Sequence, residues 1–87
     1  YILKHTIMTR PEFKSSLKSY IGNKEYDDAT ALLLDWDGYS EIAVSDANEY
    51  NCSLGNVIST LDTIGVYHEL KGLGSDSGMH IHIPICK

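Results

Sequence analysis

The sequence predicts an α+β fold of the ferredoxin-like kind: βαββαβ with an extra C-terminal strand, and two helices packed on one face of a mainly antiparallel sheet. Two stretches space their apolar residues as helices do. Several short β-branched or alternating stretches surround them, and turn residues separate the elements.

The opening "YILKHTIM" has the β-branched and aromatic content of a strand. Thr9 then offers an N-cap, Glu12 stands three residues on as in a capping box, and Pro11 suits a first turn. Phe13, Leu17, Tyr20 and Ile21 form one apolar stripe, and Gly22 is a stop, which predicts a helix from about Arg10 to Ile21 with Lys14 and Lys18 outward in solvent. After the connector "GNKEYDD", the stretch "ATALLLDWDGYSEIAVS" reads as a β-hairpin, because Asp37-Gly38 suits a two-residue type I′ turn. That turn sets Trp36 opposite Tyr39, Leu34 opposite Glu41 and Leu32 opposite Ala43. Ala31, Leu33, Ile42 and Val44 then face the core, while Leu32, Leu34, Trp36 and Tyr39 make the second face unusually apolar.

Helical spacing returns in Ala47, Tyr50, Leu54, Val57, Ile58, Leu61 and Ile64, closed by Gly65. Its start is either Asp46, with Glu49 completing a cap, or Ser53 after a loop. The segments "GVYHELKG" and "GMHIHIPIC", joined by "LGSDSG", read as a second hairpin. Alternation sends Met79, Ile81, Ile83 and Ile85 inward with Val66, His68 and Leu70. His80 and His82 fall on the other face with Tyr67, Glu69 and Lys71. The registers that match both faces put Glu69 near His82 and Lys71 near His80, or slip that arrangement by two residues.

The 87 residues suit one domain over the whole chain, and 43% hydrophobic with 22% charged residues is globular composition. No apolar run reaches the length of a membrane span and no signal-peptide pattern opens the chain, so a cytoplasmic location is expected. Cys52 and Cys86 are expected as reduced thiols. The net charge of −5 is unevenly spread: residues 25 to 70 hold ten of the twelve acids and no Lys or Arg. Such a field repels phosphate backbones and attracts basic surfaces, which argues against direct nucleic-acid binding and for a basic protein partner.

The histidines invite a metal or catalytic reading, with His80, His82 and Glu69 as the candidate residues. Cys86 lies four residues beyond His82, roughly 13 Å along a strand, and Lys71 beside His80 adds positive charge where a cation would sit. No metal site and no cofactor is therefore expected. "DWDG" resembles part of a calcium loop, but Leu33 and Val44 would occupy positions that need carboxylates. The glycine-rich "GLGSDSG" joins two strands instead of opening a helix, so it reads as a turn and not as a phosphate cradle.

Surface chemistry therefore carries the functional expectation. Asp35, Trp36, Asp37, Tyr39 and Glu41 combine aromatic anchors with an acidic rim, and Tyr26, Asp27 and Asp28 make a smaller patch of the same type. The expected function is that of a small acidic, non-enzymatic protein-binding domain. It would inhibit or modulate a larger protein by occupying a basic site, one that can be a nucleic-acid site, as acidic phage-encoded anti-defence proteins of this size do. The alternatives are a ferredoxin-like small-molecule-binding regulatory domain, assembled as a homodimer through the apolar second sheet face, and a small His-dependent nuclease or hydrolase.

Overall fold

The computed structural model describes residues 7–22, 27–36, 41–72 and 79–84. Within them the chain is α+β, with four helices and a three-stranded antiparallel sheet: α1 (Arg10–Ile21), α2 (Asp28–Asp35), β1 (Glu41–Ala43), α3 (Val44–Glu49), α4 (Leu54–Ile64), β2 (Glu69–Gly72) and β3 (Met79–His82). Of the expected first strand, residues 1–8, residues 1–6 lie outside the described ones, and Ile7 and Met8 are not in a strand.

Helix α1 starts where its capping signals place it. The Thr9 N–H donates to Glu12 Oε1 at 2.9 Å, the Glu12 N–H donates back to Thr9 Oγ1 at 3.4 Å, and Pro11 sits in the first turn. The Thr9 N–H and, at 2.8 Å, the Thr9 hydroxyl both donate to Glu12 Oε1, and these two bonds hold the Glu12 pKa below the ordinary value. Gly22, at φ +53°, ends the helix with its N–H on the Lys18 carbonyl. Phe13 and Leu17 are fully buried.

The hairpin expected over residues 29–45 is corrected by α2. Asp27 caps this helix, its Oδ1 accepting the Thr30 N–H at 2.9 Å. Ala29, Leu32, Leu33 and Trp36 are all buried, and they follow one another at i, i+3, i+4 and i+7, the spacing of one helix face. Alanine and leucine are strong helix formers, so local propensity and burial agree. The pairings expected for Leu32, Leu34 and Trp36 therefore do not form, and the βαββαβ order is not what the described elements follow. Asp37, Gly38 and Tyr39 lie outside the described residues.

No basic residue of its own occupies the last turn of α2. That role comes from α1. Lys14 Nζ donates to the carbonyls of Leu33, at 3.2 Å, and Leu34, and Arg10 Nη2 donates to the Trp36 carbonyl at 3.2 Å. Two cations thus satisfy carbonyls at the negative end of the helix dipole. Lys14, expected as an outward solvated charge, is instead a half-buried tie between two helices.

The two starts considered for the second long helix correspond to two separate helices. The Ala43 N–H donates to Asp46 Oδ2 at 3.0 Å as α3 begins. Ser53 Oγ accepts the Asn56 N–H at 3.3 Å and opens α4. Between them Asn51 takes φ +54°, a left-handed conformation that asparagine tolerates and that separates the helices. Gly65, at φ +78°, closes α4, and the Val66 N–H reaches back to the Leu61 carbonyl.

The sheet order is β1-β3-β2, with β3 central. The second hairpin takes the first of its two expected registers, Glu69 opposite His82 and Lys71 opposite His80. On the other side of β3, Glu41 stands opposite His82, Ile42 opposite Ile81 and Ala43 opposite His80. Ile42, Ile81 and Ile83 are buried with Phe13, Leu17, Leu33, Trp36, Val57, Leu61 and Val66 in one apolar cluster. Phe13 and Trp36 meet edge to face, with ring centroids 5.8 Å apart.

Candidate functional site

Helix α3 is the element around which the surface chemistry divides. At 3.6 residues per turn, Asp46, Glu49 and Tyr50 lie on one side of the helix axis, and Val44, Ala47 and Asn48 on the other. A groove opens on each side.

The first groove, of about 270 Å³, is floored by Trp36 and walled by Asp35, Glu41, Asp46, Glu49 and Tyr50. Elements distant in sequence supply its acids: the C-terminus of α2 brings Asp35, β1 brings Glu41, and α3 brings the other two. Their existing bonds are internal. Tyr50 donates its hydroxyl to Asp35 Oδ2 at 2.8 Å, Asp46 caps α3, and Glu41 Oε2 lies 3.0 Å from His80 Nδ1. Among the described residues none of the four carboxylates is paired with a Lys or Arg. The bond to Asp35 raises the Tyr50 pKa above its ordinary value, with smaller contributions from burial and from the charges of Asp35 and Glu49.

The second groove, about 450 Å³, is apolar and is lined by Val44, Ala47, Leu54, Ile58, Leu70 and Met79. Val44 is 40% exposed, Leu70 53% and Met79 41%. All three were expected to face the core. Leu70 does share a row with Ile42 and Ile81, but β2 is an edge strand and its row runs out past the helices. Cys52 also lines this groove as a free thiol, its Sγ 3.5 Å from the Ala47 carbonyl. Burial, and then the charges of Asp28 and Asp27, push its pKa up, which keeps it protonated and unreactive at neutral pH. Cys86 lies outside the described residues.

The candidate residues on the histidine face come together as expected. Glu41, His82 and Glu69 form one cross-strand row, and Ala43, His80 and Lys71 the next. His80 is held by Glu41, whereas His82 Nδ1 is buried with no hydrogen-bond partner among the described residues. Tyr67 donates its hydroxyl to Glu69 Oε1 at 2.5 Å, which raises the Tyr67 pKa. A carboxylate-oriented imidazole can accept a proton, and that is the chemistry available at His80. Among the described residues no group of three or more His, Cys, Asp or Glu side chains is arranged to hold a metal ion. His68 stands apart, bonded to the Val66 carbonyl at 2.8 Å with its Nε2 3.4 Å from Asp62.

The expected partner-binding residues separate on the surface. Asp35 and Glu41 meet in the acidic groove, but Trp36 is only 7% exposed and serves as the floor, not as a protruding anchor at a hairpin tip. Asp27 and Asp28 are exposed at the start of α2, where Asp27 is the cap. Tyr26, Asp37 and Tyr39 lie outside the described residues. Asp46, Glu49 and Tyr50 are additions, and the signal for them is their i, i+3, i+4 spacing on one helix face. Among the described residues no helix is long and apolar enough to cross a membrane. Comparison of the chain with protein-family models, with curated proteins and with solved structures finds no match in any of the three.

Proposed function

We propose that this chain is a small acidic protein-binding domain that occupies a basic site on a larger protein, with the groove between α2, β1 and α3 receiving arginine or lysine side chains. The observation that carries this reading is the convergence of Asp35, Glu41, Asp46 and Glu49 around Trp36 and Tyr50, with no Lys or Arg of the described residues paired to them. Carboxylates suit the fork geometry of a guanidinium, and an aromatic wall adds attraction for a cation. The absence of Lys and Arg from residues 25 to 70 extends the negative field beyond the groove, which speeds encounter with a basic surface. Where that surface normally holds nucleic acid, the domain inhibits by taking the place of phosphates. The ferredoxin-like regulatory reading is not carried forward, because the segment it needs as a strand is α2.

The test is affinity capture from the source cell with the intact chain, followed by direct binding to the captured protein. Binding is expected to weaken with salt, to be displaced by the polyanion heparin, and to fall at least about tenfold when Asp35→Asn and Glu49→Gln are combined. Both residues are exposed, so the variant keeps the fold. Undiminished binding by the variant, or binding indifferent to heparin, would overturn the proposal.

A further inference from the structure

The acidic groove is not the only concavity beside α3, and the second one narrows what kind of basic segment fits. Charge alone would be read anywhere along the acidic surface. The apolar groove of Val44, Ala47, Leu54, Ile58, Leu70 and Met79 lies directly across α3 from the carboxylates, and three of its walls are substantially exposed large apolar side chains. Exposed apolar side chains gathered on one concave surface are the usual mark of an interaction site.

Resting on the reading above, we infer that the partner segment is amphipathic: a basic stretch that crosses α3, setting its cationic side chains among Asp35, Glu41, Asp46 and Glu49 and one large aliphatic or aromatic side chain in the apolar groove. Charge complementarity selects this occupant over a second copy of the chain. A second copy laid across α3 by its own groove face would offer these carboxylates no cation, since residues 25 to 70, which carry every wall of the two grooves except Met79, hold no Lys or Arg and the net charge is −5. Geometry sets the spacing. A helix with its side chains is about 10–12 Å across, and an extended chain advances roughly 3.3 Å per residue, so anchor and cations stand about three to four residues apart. The crest between the grooves carries Ser45 and Asn48, both exposed and polar, which leaves the crossing backbone hydrogen-bonding groups to meet. Specificity then comes from the apolar anchor and encounter rate from the charge.

The probes are synthetic peptides of about twelve residues carrying arginines and, three to four residues away, either one leucine or an alanine in its place. Binding is followed by amide chemical shifts and by titration of the intact chain. The leucine peptide is expected to bind about tenfold tighter than the alanine peptide and to move signals of Val44, Leu54, Leu70 and Met79. Leu70→Ser with Met79→Gln is expected to erase that advantage while leaving the alanine peptide's affinity unchanged. Equal binding of the two peptides, or an advantage that survives the double variant, would overturn the inference and leave the acidic-groove reading standing. If neither peptide loses affinity for the Asp35→Asn, Glu49→Gln variant, the acidic-groove reading itself fails. A dimer in sedimentation that Leu70→Ser converts to monomer would assign the groove to a second copy and also overturn the inference.

Discussion

The two sides of α3 differ in what lies beneath them. On the acidic side the floor is Trp36, which also packs edge to face on Phe13 and belongs to the buried cluster, so the groove is an outgrowth of the core. On the apolar side the outer wall is Leu70 and Met79, at an edge strand and the end of its neighbour, where side chains of core type are left in solvent. One groove is therefore fixed by folding. The other exposes apolar surface that folding does not require, and surface of that kind is the more informative about partners.

Stability measurements break the comparison apart. Trp36→Ala is expected to cost about 3–5 kcal/mol, because it empties a large core position. Leu70→Ser is expected to cost less than about 1 kcal/mol, since its side chain is more than half exposed on an edge strand. Denaturant unfolding of the two variants checks both figures, and comparable losses would mean that the apolar groove is part of the core after all.

A smaller effect belongs to the start of α4. Ser53 caps that helix and also lines the apolar groove, between Cys52 and Leu54. Ser53→Ala is expected to cost up to about 1 kcal/mol by removing the side-chain acceptor of the Asn56 N–H, which keeps only the Ser53 carbonyl. Hydrogen exchange should show the loosening in the first turn of α4 and leave the acidic wall unchanged. Spread of the effect to Asp46 and Glu49 would show that the two grooves are mechanically one.

How far the sequence reveals these features depends on the range of the interactions that create them. Helix α1 is legible because Thr9, Pro11 and Glu12 act within one turn, and the β2–β3 register because Glu69, Lys71, His80 and His82 alternate with apolar neighbours. The stretch that forms α2 carries two conflicting signals. The Asp37-Gly38 pair suggests a hairpin, while Asp27 as a cap and the stripe of Ala29, Leu32, Leu33 and Trp36 specify a helix. Tertiary packing against Phe13 and the Lys14 bonds to its last carbonyls favour the helix, and neither is visible locally. The acidic groove was half legible for the same reason: charge counting finds Asp35 and Glu41, but only the turn from β1 into α3 brings Asp46, Glu49 and Tyr50 beside them.

The smallest effect is the most direct report on the acidic side. Tyr50 donates to Asp35, and that bond, together with burial and the neighbouring charges, raises its pKa above the ordinary value of 10.0. A group raised on folding contributes stability that is present below its unfolded pKa and is lost as pH rises through the folded one, so the linkage acts only in the alkaline range. Tyrosinate absorbance should show Tyr50 ionising above the ordinary range, and Asp35→Ala should return it toward that range by removing the first of these causes. A cationic side chain seated among the four carboxylates places positive charge beside the phenol and competes for Asp35, and both effects favour ionisation. Tyr50 should therefore titrate lower in the complex than in the free chain. A ligand confined to the apolar groove, across α3 from this hydroxyl, has no charge to bring and should leave the titration where it was, so one tyrosine distinguishes which side of the helix is filled.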